Sequence, residues 1–156
     1  MNGKAFQDHY PDELSHCYGC GRNNPDGHRL KSYWDGESTI ARFRPEAHHV
    51  ALPGYVYGGL IASLIDCHGT GTAAAATARA QGRDLGSEPP LRFVTASLQV
   101  DYLAPTPMGE ELELRGEILE VSGRKAVIEV TVRAAGEIRA RGRVVAVLMP
   151  EGMKSR

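Results

Sequence analysis

Between Gly58 and Ala78 a single fully charged side chain interrupts an otherwise apolar run: Asp66, flanked by Leu64, Ile65 and Cys67. A carboxylate in such surroundings is costly unless it is paired, hydrogen-bonded or at work. The work open to it is general-base activation of water or direct nucleophilic attack. The structural alternative is an aspartate satisfied by Thr70 or by a backbone amide. Two helical turns earlier stand Gly58 and Gly59. At a helix start their N–H groups stay free, with the positive end of the helix dipole behind them, which suits a developing oxyanion. A plain loop-to-helix turn would use the same glycines, so the pair alone does not decide. A second constellation is Cys17-x-x-Cys20. Two thiols at that spacing are half a zinc site, and His16 or His28 could add ligands. No second such pair follows, and Cys67 falls in the apolar run, so the expectation is a glycine-shaped structural loop with no metal. A redox pair is less favoured still, because no helix clearly starts after Cys17. Arg139, Arg141 and Arg143 line one face of a strand and read as a solvated face rather than a phosphate site.

The elements that must hold these residues follow from composition and periodicity. The chain has 156 residues, 42% hydrophobic and 24% charged, with a formal net charge of −1. That length predicts one domain, 1–156. The near-zero charge argues against a nucleic-acid or anionic-membrane binder, which needs a basic surplus. Three cysteines cannot all pair within one chain, and the opening residues have no apolar core of the signal-peptide kind, so the expected compartment is the cytoplasm. Residues 1–36 read as irregular, with one short helix around Asp12 to Ser15. Glu37 to Arg44 is a strand candidate. The apolar run predicts a helix from Gly58 to about Gln81, weakened near Gly69 and Gly71. Its alanines, glycines and threonines argue for a helix buried in protein rather than a membrane span.

After a turn-rich loop, alternating apolar residues predict four strands: Phe93 to Leu103, Glu111 to Val121, Lys125 to Arg133 and Ile138 to Met149. Ile118-Leu119 marks a bulge in the second. In the first, Val94, Ala96, Leu98, Val100 and Tyr102 share a face, and Thr95 falls on the opposite, polar one. Short turns at Ser122-Gly123 and Ala135-Gly136 make the last three an antiparallel meander. The fold class is therefore α+β, an antiparallel sheet of about five strands wrapped around one long central helix. A helix apolar on nearly every side needs cover on nearly every side, so a partner subunit is expected to complete it.

The run Pro53-Gly54-Tyr55-Val56-Tyr57-Gly58-Gly59-Leu60-Ile61-Ala62-Ser63-Leu64-Ile65-Asp66 resembles the hotdog-fold acyl-CoA thioesterases of the PaaI-like group (4-hydroxybenzoyl-CoA thioesterase superfamily), with their pattern PGxxHGGxxxxLxD. Val94 to Pro105 is similar to that family's next strand and its proline. Gly123-Arg124-Lys125 is similar to the turn that opens its fourth strand. Cys17-Tyr18-Gly19-Cys20-Gly21 with Asn24-Pro25-Asp26-Gly27 resembles the CxxCG..NPxG start of one branch. The resemblance spans roughly Cys17 to Met149.

It implies an acyl-CoA thioesterase acting on a CoA thioester without a cofactor, in a homodimer or dimer of dimers. Asp66 matches the catalytic carboxylate and Gly59 the glycine whose N–H polarises the thioester carbonyl, with Gly58 beside it. Thr95 matches a Ser or Thr that reaches the site from the partner subunit and holds the water. Arg124 and Lys125 match a turn near the CoA phosphates. One position departs: the family's histidine before the glycine pair is Tyr57, whose phenol donates a hydrogen bond but is not basic near neutral pH. The neighbouring His48 and His49 are candidates to compensate. Tyr57 also motivates an alternative, a non-catalytic binding protein for acyl-CoA or aromatic ligands on the same scaffold. A further alternative is a zinc-stabilised interaction module built on the Cys17 region.

Overall fold

Period-two alternation over the second half of the chain produces long strands, and one continuous apolar stretch produces the helix they enclose. The computed structural model describes residues 3–153; residues 1–2 and 154–156 of the expected domain lie outside it. In chain order the elements are β1 (Ser32–Asp35), β2 (Ser38–Phe43), α1 (Gly58–Ala80), β3 (Phe93–Tyr102), β4 (Leu112–Ser122), β5 (Lys125–Ala134) and β6 (Glu137–Leu148). They form one antiparallel six-stranded sheet in the order β1-β2-β4-β5-β6-β3. The sheet wraps α1, which is the hotdog arrangement the sequence implied, with six strands where about five were expected.

The additional strand lies inside the segment read as irregular. Ser32–Asp35 pairs with β2 through a two-residue turn whose Gly36 has φ +67°. The turn residues are Gly36 and Glu37, and a glycine at the first of two turn positions is an ordinary hairpin signal. Two short 3-10 turns, Phe6–His9 and Asp12–Leu14, precede it.

The core lies between α1 and the inner face of the sheet. Ala126, Ile128, Val130 and Val132 of β5 and Ala140, Val144 and Ala146 of β6 are all buried. Gly142 and Gly69 mark where sheet and helix come closest. A Cβ on Gly142 would overlap the Ile65 side chain, and one on Gly69 would overlap Val144. The glycine at 69 thus serves close packing where the sequence had suggested a weakened helix. Beneath the helix, His68 is fully buried in a polar network. Its Nδ1 lies 2.8 Å from Ser32 Oγ and its Nε2 3.1 Å from Thr39 Oγ1. Burial lowers its pKa to about 4, so the imidazole is neutral.

β3 departs from the expected alternation. Its register against β6 shifts between Thr95 and Ser97. Paired residues of neighbouring strands point to one side of a sheet. Thr95 pairs with buried Ala146, while Leu98, Val100 and Tyr102 pair with Val144, Gly142 and Ala140. The bulge at Ala96 therefore inverts the strand, placing Phe93 and Thr95 on the helix side together with Leu98, Val100 and Tyr102. The expectation that Thr95 faces away from its own helix is overturned.

Candidate active site

α1 is buried on all sides over most of its length, with one gap. From Gly58 to Ala78 the positions with appreciable exposure are Gly58, Gly59, Ala62, Ser63 and Asp66. Spacings of three, four and seven place Gly59, Ala62, Ser63 and Asp66 on one face. Their small side chains leave a shallow furrow that runs about 10 Å along the helix axis, from the Gly59 amide to the Asp66 carboxylate.

Asp66 closes one end of the furrow, half-buried, and accepts a hydrogen bond from Thr95 Oγ1 of β3. Thr70, the alternative partner considered from sequence, donates instead to the Cys67 carbonyl at 3.3 Å. The carboxylate is thus held by a strand of its own chain through the residue that the β3 bulge turns inward.

Tyr57, Gly58 and Gly59 form the other end. Tyr57 is the N-cap of α1, and its carbonyl accepts from Leu60 N–H at 3.1 Å. No acceptor among the described residues meets the Gly58 or Gly59 N–H, so both remain free donors at the positive end of the helix. The Tyr57 ring lies against Gly59, where a Cβ would collide with it. The Tyr57 N–H donates to the His49 carbonyl at 2.9 Å, which ties the ring to the Ala47–His49 turn. His48 and His49 pack against one another on that turn in a tilted contact, ring centroids 4.2 Å apart. Tyr102 completes this end by donating to the Gly58 carbonyl at 2.7 Å. Burial, and then the neighbouring Tyr57, raises its phenol pKa. Alternation alone places Tyr102 on an apolar face; its phenolic hydroxyl is the one signal of a polar role there. A pocket of about 570 Å³ adjoins, lined in part by Leu52, Tyr55, Ile61, Tyr102, Leu103 and Pro105.

Arg124 and Lys125 are exposed at the β4–β5 turn, where Gly123 has φ +59°. Lys125 lies 3.5 Å from Glu120, and Arg124 accepts Leu148 N–H through its carbonyl. Ala126 and Thr95 both pair with Ala146, so this turn stands at the same end of the sheet as Thr95, two strands away. Arg141 and Arg143 are exposed on the outer face of β6, as expected of a solvated face, while Arg139 is half-buried beside Glu137 at 3.4 Å.

A further group stands beside Asp66. Cys17, Cys20 and Cys67 are free thiols whose sulfurs all lie within 4.8 Å of one another. Sequence spacing had set Cys67 apart because it lies in the helix; the chain folds its N-terminal loop onto that helix, with Gly19 against Cys67 and Ser63. His16 and His28, the residues considered as completing ligands, are not in the cluster. His28 instead packs with Tyr18, Phe43 and His49. Hydrogen bonds from the Cys20 and Cys67 thiols, with the Cys20 and Gly19 backbone N–H groups, hold Cys17 far below the ordinary thiol range. The same coupling to Cys17 pushes Cys20 up to about 12 and Cys67 well above its usual value. Cys17, Cys67, Asp66, Thr70, Arg92 and Thr95 share the lining of a small pocket of about 180 Å³.

Residues 53–141 match the model of the thioesterase superfamily. A thioesterase superfamily protein of known structure from Shewanella loihica PV-4 is 55% identical, with a TM-score of 0.68 over 90% of this chain and 100% of that one. The fold is shared by smu.793 from Streptococcus mutans UA159, solved bound to acetyl CoA: 16% identity, TM-score 0.62, 75% of this chain and 85% of that one. A Mus musculus protein named acyl-coenzyme A thioesterase THEM4 is 28% identical over 99 residues, 64% of this chain and 37% of that protein. The chain spans little more than a third of the length of the curated relatives it matches. No helix among the described residues is long and apolar enough to cross a membrane.

Proposed function

Since this chain belongs to the thioesterase superfamily, we propose that it is an acyl-CoA thioesterase, hydrolysing a thioester to free acid and CoA in the cytoplasm. The observation that carries the reading is the furrow on α1, with a carboxylate at one end and two free amides at the other. Asp66 takes a proton from water as the water oxygen attacks the thioester carbonyl carbon. The oxygen that becomes negative accepts from the Gly59 N–H, with Gly58 beside it, and such a donor contributes ~3 kcal/mol. The tetrahedral intermediate then expels CoA as a thiolate. A thiol of pKa ~8.5 leaves without a strong general acid, so a site this sparse suffices. In the direct route the Asp66 oxygen attacks instead, and water cleaves the resulting anhydride. Neither route calls on a cofactor.

Thr95 orients the carboxylate, and Tyr57 offers a phenolic donor beside the glycine amides. The CoA phosphates are assigned to Arg124 and Lys125, a reading supported by their exposure at the Thr95 end of the sheet. Bound acetyl CoA in a protein of the same fold supports this ligand class. β3 is the longer of the two edge strands of the sheet and carries exposed Leu98 and Tyr102. An unprotected edge of that length invites pairing, so the working unit is a homodimer at least, joined along β3, or a dimer of dimers.

The test is a hydrolysis screen over short-chain, long-chain and aromatic acyl-CoAs with wild type and Asp66→Asn. Loss of at least ~10²-fold in turnover in a folded Asp66→Asn protein is expected of a catalytic base or nucleophile. Activity near wild type in that variant refutes the mechanism. One feature favours a second reading: Tyr57 occupies the place of a histidine, which fits a binding protein for acyl-CoA or aromatic ligands. Tight acyl-CoA binding without turnover on any substrate selects that reading.

A further inference from the structure

We propose that Cys17, Cys20 and Cys67 together bind one zinc-class divalent cation, which clamps the N-terminal loop to α1 beside Asp66. The ligands come from two segments 50 residues apart, a C-x-x-C loop and the middle of the helix. The Cys17 and Cys67 sulfurs lie 3.7 Å apart, and all three are within 4.8 Å of one another. Tetrahedral zinc with Zn–S bonds of ~2.3 Å separates its sulfurs by ~3.8 Å. The Cys17–Cys67 pair is therefore already at coordination spacing and well short of a disulfide bond, with Cys20 beside it.

Two independent features of the backbone and charge distribution fit a thiolate set. In the Cys17–Gly21 turn, Gly19 packs directly against the Cys67 sulfur, where a Cβ would overlap it. Gly21 N–H closes that turn onto the Cys17 carbonyl at 2.7 Å, and a Cβ on Gly21 would strike the Cys17 nitrogen. The loop is thus folded tightly around one sulfur, which a merely space-filling cysteine does not require. The second feature is Arg92. It is half-buried, donates to the Phe93 carbonyl at 2.7 Å and lies over the Tyr10 ring, yet makes no ion pair with a carboxylate among the described residues. Three thiolates on a divalent cation carry one net negative charge, and the Arg92 guanidinium supplies the opposite one. The small pocket that Cys17 and Cys67 line together with Asp66 and Thr70 would leave room for a water as fourth ligand.

Binding exchanges thiol protons for the metal, so loading the reduced protein releases protons. The experiment uses the full chain, purified under reducing conditions without chelator. Zinc is quantified by elemental mass spectrometry, and cobalt(II) is titrated into protein stripped of metal. One zinc per chain is expected, retained through dialysis and released by a mercurial thiol reagent. Cobalt is expected to give a sulfur-to-metal charge-transfer band with the intense visible bands of a tetrahedral site. Cys67→Ser removes that band. Because this variant alters packed helix, its fold is checked by circular dichroism, and the wild-type cobalt spectrum stands without it. The proposal is overturned if reduced wild type retains no zinc and gives no charge-transfer band. A band that survives Cys67→Ser in a folded protein overturns it too, as does a Cys17–Cys67 disulfide formed quantitatively in the purified protein. None of these readouts depends on thioesterase activity.

Discussion

Thr95→Val isolates the contact that positions the carboxylate. Valine keeps the β-branched shape of Thr95 in its row beside Ala146 and Ala126, and removes only the hydroxyl that donates to Asp66. A hydrogen bond to a charged group contributes ~1.5–3 kcal/mol. Thr95 is exposed and Asp66 half-buried, so water competes for the carboxylate and the lower end applies. A loss of ~1.5 kcal/mol in the transition state lowers kcat about tenfold. The fall belongs in kcat, because Thr95 touches the base and not the bulk of the substrate. Steady-state hydrolysis of the best acyl-CoA measures it, with thiol release as the signal. Thr95→Ser, which keeps the hydroxyl, should recover most of the rate. Combined with Asp66→Asn, Thr95→Val should add little, since the group it positions is gone. A folded Thr95→Val enzyme with wild-type kcat refutes the positioning role. So does a double variant far below Asp66→Asn alone.

Tyr57→Phe keeps the ring against Gly59 and loses the phenolic donor; a few-fold to about tenfold fall in turnover is expected, while Tyr57→His preserves or raises it. Unchanged activity in Tyr57→Phe makes Tyr57 a pocket wall, seen then as altered acyl-chain preference. Light scattering should show no stable folded monomer, and an active monodisperse species of 16.9 kDa refutes pairing along β3. His68 is neutral in the fold with its pKa lowered to about 4, so the unfolded chain binds the extra proton between about 4 and 6.5. Its contribution, about 3 kcal/mol, is complete above pH 6.5 and is lost as pH falls toward 4. NMR titration checks this, and an imidazole that protonates near 6.5 in the folded protein refutes it.

Much of the architecture was legible because it rests on local pattern. The even-numbered apolar positions of β5 and β6, the lone carboxylate in α1 and the Ile118 bulge are all features of residue order, and all are found in place. β1 escapes a reading by pattern because Ser32–Asp35 is only four residues, too short to show alternation, and its pairing with β2 is a tertiary event. The orientation of Thr95 was misread for a subtler reason. Val94, Ala96, Leu98, Val100 and Tyr102 alternate without a break in the sequence, so nothing in that order betrays a residue looped out at Ala96. The thiol cluster was half visible: Cys17 and Cys20 announce themselves by spacing, whereas Cys67 joins them only when the loop lies on the helix. Likewise the furrow exists because neighbouring elements stop short of it, which no local window of sequence records.

The contacts at Gly69 and Gly142 act as locating pins for α1. With Val144 against one glycine and Ile65 against the other, the helix can neither slide along its axis nor roll without backbone striking a branched side chain. Asp66 stands one residue from Ile65 and one turn from Gly69, so its position is set by this packing. The segments around it that carry Tyr57, the adjoining pocket and the β4–β5 turn are loops, free to diverge in length and composition. Such a division lets substrate choice drift among descendants of this sequence while the reacting atoms keep their alignment.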